Sequence, residues 1–369
     1  MGRNGLMTPA SSAGSPGLAS QPAAPGAPTP RERLLCALRG QPADRIPVWL
    51  MRQAGRYLPQ YHAVRARHDF LTLCKTPAAA AEVSIQPVEA IDSDAVIIFN
   101  DILIPLEHCG ARVAFDDHGP LIRNPVRRPE DLAGLAARPV ADDEPIAATI
   151  AETRRRVGPD FPILGFIGAP WTLAAYWVEG RMTRQFEHIG SLRFAAPELL
   201  LSLLERIADV AADYLRVQIA AGADAVQIFD TWGSILAADE YERFSGQWIR
   251  RIIERARPLG APVIVYVNGC APFLEQLNGL GADCLSIDWR LPLARARAAL
   301  GPAIALQGNL DPLALLAGPE AVARTVEDLF RAFPAGPGHV FNLGHGILPN
   351  TPVESARALI RAVKHHGRY

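Results

Sequence analysis

The sequence is short of several things, and each shortage removes a class of protein. Cysteine is scarce and unpatterned: Cys36, Cys74, Cys109, Cys270 and Cys284 are an odd five, with no Cys-x-x-Cys pair. That argues against a disulfide framework or a zinc ribbon and fits a reducing, cytoplasmic setting. Neither charge dominates, and the net charge is −1. No general field draws the chain to nucleic acid or anionic lipid, so any anionic ligand must be held by locally clustered cations. No apolar run approaches the roughly 20 residues needed to cross a bilayer. No Gly-x-Gly-x-x-Gly follows a strand-like run, no serine sits in a nucleophile elbow, and no lysine lies on a candidate strand. Dinucleotide binding, triad hydrolysis and Schiff-base chemistry lose their usual carriers.

What remains is an ordinary globular composition, 49% apolar and 20% charged over 369 residues. Residues 1–29 are Ala, Pro, Gly and Ser with little to bury, and read as a disordered tail without a secretory core. Leu6 stands where a myristoylation signal needs Ser or Thr. Order begins at Thr29, Pro30 and Glu32, a capping box with a first-turn proline, and Gly40 closes that helix. Eight apolar, β-rich runs then alternate with helical patterns: 46–50, 94–99, 162–168, 223–229, 262–268, 283–288, 302–308 and 339–344. Leu199, Leu203, Ile207 and Tyr214 share one face of the longest helical stretch, which stops at Gly222. Continuous apolar strands separated by helices predict a parallel sheet, and eight is the closing number of a TIM-type (β/α)8 barrel. The alternative is a doubly wound open sheet. One α/β domain over residues 30–369 is expected, with about 102–160 as an elaborated connection. A second capping box at Thr351 and Glu354 announces a C-terminal helix.

In such a barrel the site is built just after each strand. Pro47–Tyr61 reads PVWLMRQAGRYLPQY: a buried run ends in Arg52, and Arg56 follows four residues on, with Gln53, Ala54 and Gly55 between them. Two guanidiniums at a strand end, with glycine for close approach, form a grip for carboxylate or phosphate. The plain alternative is two solvated arginines. The other strand ends offer Asp101, Tyr176, Asp230, Thr231, Ser234, Asn268, Asp288, Arg290 and His345. Asp230 reads equally as a helix cap, and Tyr176 as a packed aromatic. His345 between Gly344 and Gly346 points to something bound close to the backbone. The ligands for a metal are too thin. The set suits a cofactor-free site for a polyanion that carries, or transiently acquires, a positive centre.

These residues lie in segments that resemble the uroporphyrinogen decarboxylase family of haem biosynthesis. PVWLMRQAGRYLPQY and GFIGAPWTLAAYWVEG are similar to its two signature segments, and IIFNDIL, QIFDTWGS, LQGNLDP and FNLGHGI follow in the expected order. The resemblance runs from about Leu34 to the C-terminus. It implies a single (β/α)8 barrel, a homodimer, and removal of four acetate carboxyls from uroporphyrinogen III without cofactor or metal. It implies substrate contacts at Arg52, Gln53, Ala54, Gly55, Arg56, Asp101, Tyr176, Thr231 and His345. Thr231 stands where some members have serine. Asp101 is expected to be ionised and to stabilise a ring cation. Arg52, Tyr176 and His345 are the candidates for moving the proton, His345 being the best matched to neutral pH. Two competing readings are a corrinoid-type methyltransferase of the same superfamily and a non-catalytic tetrapyrrole binder. The former needs a His-x-Cys where this chain has Asn268-Gly269-Cys270, and a Cys where it has His345.

Overall fold

A computed structural model describes residues 26–369. The expected disordered tail therefore falls almost wholly outside the described residues. The first helix, Pro30–Leu38, starts as its sequence dictates: Thr29 Oγ1 accepts from the Glu32 amide, and Glu32 Oε2 accepts from the Thr29 amide. The long helix Pro197–Ala220 buries Leu199, Leu203, Ile207 and Tyr214 and ends before Gly222 at φ 107°. The C-terminal helix, Val353–His366, begins without the expected box. Pro352 is its N-cap, and no side chain bonds the first turn. Thr351 lies one position too early to reach the orphan amides.

Seven of the eight expected strands form one parallel, curled sheet. In chain order they are β1 (Val96–Ile97), β4 (Ile163–Gly168), β5 (Ala225–Asp230), β6 (Val263–Val267), β7 (Cys284–Ser286), β8 (Ala305–Gln307) and β9 (His339–Val340), and they pair in that sequence. The doubly wound order, which reverses partway, is not adopted. The numbers β2 (Val113–Asp116) and β3 (Gly119–Ile122) belong to a separate antiparallel hairpin. It stands inside the long 102–160 connection, where no strand was expected.

The run 46–50 differs from expectation. It is extended and fully buried, but it makes one bridge, Val48 to Phe341, rather than a strand. On one side Phe341 donates to the Pro47 carbonyl at 2.9 Å; on the other Asp94 donates to the Val48 carbonyl at 2.9 Å. It therefore lies between β9 and β1. A part-buried ion pair fixes it: Arg45 meets both Asp94 oxygens at 2.6 and 2.7 Å, and the Val48 amide donates to Asp94 Oδ2 at 2.9 Å.

Alternation along the strands sorts the core into two layers. Leu164, Ala225, Phe229, Ile264, Tyr266 and Cys284 fill the concave face together with Trp49. Their neighbours Ile163, Val226, Ile228, Val263, Val265 and Leu285 pack outward under the helices. A polar seam crosses the concave face. Trp49 Nε1 donates to Gln307 Oε1, and Gln307 Nε2 donates to Gln227 Oε1 and Ser286 Oγ, at 2.9–3.1 Å. Burial of the Gln307 amide is tolerated because these bonds use both its oxygen and its nitrogen, whereas Gln227 Nε2 has no partner among the described residues.

Candidate active site

At the carboxyl end of the strands lies a cleft of about 330 Å³. Arg52, Ala54, Arg56, Asp101, Tyr176, Thr231 and His345 all line it, so seven of the nine expected contact residues meet there. Gln53 and Gly55 do not. Gln53 is wholly buried with its amide committed: Nε2 donates to the Ala95 carbonyl at 2.7 Å, and Oε1 accepts from the Leu50 amide and Ser93 hydroxyl. It pins the loop that carries the arginines. Gly55, at φ 95°, passes 3.1 Å from the Phe99 ring as judged at a Cβ position, so its absent side chain seats the loop on Phe99.

The two arginines do not lie on a helical turn, although their four-residue spacing would allow one. Each occupies the left-handed region, Arg52 at φ 62° and Arg56 at φ 49°. Burial and the like charge of Arg52 push the Arg56 guanidinium down to about 10, and Tyr61, Tyr176 and Asp101 only partly offset this. It remains a cation at neutral pH, and a ligand carboxylate would relieve the repulsion.

Asp101 is half-buried and accepts the Leu103 amide at 2.9 Å. Burial raises its carboxyl above the usual range, against the lowering effects of that amide, Arg52 and Arg56. Burial thus makes Asp101 a weaker acid than an ordinary aspartate. A ligand offering N–H donors would reverse the shift.

His345 also departs from expectation. Burial, followed by the charges of Arg52, Arg56 and Arg290, lowers its imidazole to about 4. Its Nδ1 accepts the Gly346 amide at 2.7 Å, which assigns the proton of the neutral ring to Nε2. At neutral pH it is a hydrogen-bond donor, not an imidazolium acid. The flanking glycines serve packing within the protein. A Cβ on Gly344 would lie 2.2 Å from the Trp289 nitrogen, and one on Gly346 would lie 2.4 Å from Arg52 Cδ. The stem of Arg52 therefore rests on the His345 loop.

Asp230 faces away from the cleft. It is fully buried, with Thr172 Oγ1, Ser245 Oγ and Tyr241 Oη donating to it at 2.8, 2.7 and 3.1 Å. Thr172 in turn accepts the Trp232 amide at 3.0 Å, which fixes the turn presenting Thr231. It is neither cap nor catalyst but an anchor. Ser234 and Asp288 likewise stand outside the lining.

Sequence reasoning missed much of the apolar wall: Tyr61, Phe70, Pro120, Phe166 and Phe229 also line the cleft. Phe70 sits 5.8 Å from Phe99 and 4.6 Å from Phe115 between ring centroids, joining the helix Phe70–Lys75 to the hairpin. Phe166 and Phe229 were findable, since both occupy inward positions of expected strands. Phe70 and Pro120 come from connections whose course no local pattern gives. No group of three or more His, Cys, Asp or Glu is placed to hold a metal among the described residues.

A curled parallel sheet with this cationic, aromatic-walled cleft at its carboxyl edge defines an α/β protein built to hold an anionic, partly apolar ligand. More particularly, the chain belongs to the uroporphyrinogen decarboxylase (URO-D) family, which matches residues 29–366. A relative named uroporphyrinogen decarboxylase from Myxococcus xanthus (strain DK1622) is 46% identical over 338 residues, 91% of this chain and 97% of the relative. One of the same name from Pelobacter propionicus is 44% identical, covering 91% of this chain and 99% of its own. Among solved structures, a methyltransferase from Methanosarcina mazei superposes with a TM-score of 0.75 over 92% of this chain and 99% of its own. At 21% identity that likeness speaks for the fold alone.

Proposed function

We propose that this chain decarboxylates the four acetate side chains of uroporphyrinogen III, giving coproporphyrinogen III and carbon dioxide in haem biosynthesis. The observation that carries this reading is the meeting of Arg52, Arg56, Asp101, Tyr176, Thr231 and His345 around one cleft in a member of this family. The working unit is a single domain over 30–369, read as an eight-stave barrel in which 46–50 is the stave between β9 and β1. It acts as a cytoplasmic homodimer without cofactor or metal.

The chemistry asks for an electron sink. An acetate on a neutral pyrrole leaves no stable carbanion, whereas a proton added to the adjacent ring carbon makes an iminium-like cation. The C–C bond then breaks, carbon dioxide leaves, and its electron pair moves into the ring to give an exocyclic methylene. Protonation there forms the methyl, and loss of the first proton restores the pyrrole. Each cycle consumes one proton. Asp101 takes the pyrrole N–H groups; their hydrogen bonds lower its carboxyl back toward ionisation, and the carboxylate stabilises the ring cation. Arg52 and Arg56 grip side-chain carboxylates. Neutral His345 donates from Nε2, and Tyr176 and Thr231 supply hydroxyls. Arg52 and Tyr176 stand as the remaining proton-moving candidates, because an imidazole titrating near 4 carries too little acid at neutral pH.

Anaerobic incubation of uroporphyrinogen with the full chain tests this. Products with seven to four carboxylates are expected, at a rate unchanged after exhaustive treatment with a chelator. Tight binding without products would leave the non-catalytic binder, and a chelator-sensitive methyl transfer would favour the other alternative.

A further inference from the structure

Uroporphyrinogen carries eight carboxylates, yet the arginines lining the cleft are Arg52 and Arg56. The cleft's volume of about 330 Å³ is at the low end of the roughly 300–1,000 Å³ typical of small-molecule sites. Much of a four-ring macrocycle must therefore rest on the rim outside it. Past His345 the rim carries Trp289 and Arg290, on the turn that leaves β7. The Trp289 ring lies 6.1 Å from the His345 ring, and the Arg290 guanidinium stacks 4.0 Å over Trp289. Among the described residues the arginine is held from one end only: Nη1 reaches Asn268 Oδ1 at 3.1 Å and Asp288 Oδ1 at 3.3 Å. Asp288 is a divided partner. Its buried carboxylate also accepts the Arg290 amide at 3.0 Å and the Cys270 amide at 2.9 Å. The Arg290 side chain is 51% exposed. An arginine aimed by a buried acid and stacked on an indole, with about half of its side chain exposed, is prepared for a bidentate carboxylate.

We propose that Arg290 is a further substrate-positioning residue, taking a carboxylate of the macrocycle at the edge of the cleft beyond His345, with Trp289 as its stacking plate. The assignment rests on the decarboxylase reading above. Arg290→Gln and Arg290→Lys in the full chain test it, by steady-state kinetics and by direct equilibrium binding of uroporphyrinogen at low and high salt. For Arg290→Gln, KM and Kd are expected to rise about tenfold at low salt, with the loss in KM rather than kcat. The gap should narrow at high salt, and Arg290→Lys should recover part of it. Unchanged KM and Kd, or a fall in kcat alone, would overturn the assignment. If the unaltered chain binds uroporphyrinogen but yields no products, the decarboxylase reading fails, while the Kd ratio still decides Arg290. Should the glutamine variant not fold, the lysine variant's salt dependence carries the same decision.

Discussion

At the scale of single residues, Asp101 is the point where stability and chemistry pull apart. Burial holds its carboxyl above the ordinary value, so the group favours the native state at pH below the unfolded aspartate value of about 4 and works against it above the raised native value. Asp101→Asn removes that liability at neutral pH and also removes the proposed ring-cation partner. Turnover is expected to fall by about 10²-fold or more, while the melting temperature at pH 7 stays level or rises. A variant that turns over normally would take Asp101 out of the mechanism. His345 shows the limit of reading titration from residue type. Its identity and flanking glycines were visible, but the three arginines and the burial that lower it come from distant parts of the chain.

At the scale of elements, the site is a set of loops fitted against each other. Gly346 is the seat of the Arg52 stem, with 2.4 Å available to a Cβ. Gly346→Ala must displace the arginine or the His345 loop, and about 1–3 kcal/mol of strain is expected, together with roughly a tenfold loss in kcat/KM. Kinetics alongside a thermal melt separate the two; unaltered kinetics would show that the Arg52 position is not critical. The strands and their mouths were legible because inward and outward positions alternate apolar residues and each run ends abruptly in Arg52, Asp101, Thr231 or His345. The hairpin β2–β3 was not. Its eight residues include Asp116 and Gly119 but no long apolar pattern, and it is held by contacts made elsewhere, such as Arg181 to Asp116 at 2.6 Å. Gln53 was misplaced for a related reason: a polar residue between two arginines reads as part of the grip, and only the fold brings Ala95 and Ser93 to it.

At the scale of the whole molecule, the extended run 46–50 joins the two margins of the seven-stranded sheet. Asp94 holds it through Arg45 and the Val48 amide, and these hydrogen bonds and charges, with Lys364, outweigh burial and keep its carboxyl below the usual range. Asp94→Ala leaves the part-buried Arg45 without its carboxylate, with only the Ile46 carbonyl to meet it, and is expected to cost about 3 kcal/mol in a denaturant melt at pH 7. A depressed acid stabilises above its unfolded value, so the gap between the two proteins should shrink as pH falls below about 4. A gap that did not depend on pH would assign the loss to packing instead. The same region ties residues 43–46 to the turn that follows the C-terminal helix. Ile46 donates to the Gly367 carbonyl at 2.9 Å, and the Ala43 amide to the Tyr369 hydroxyl at 3.1 Å. Arg52 follows that segment by a few residues, so these two hydrogen bonds make the placement of its loop depend on Gly367 and Tyr369, residues that the sequence keeps far from it.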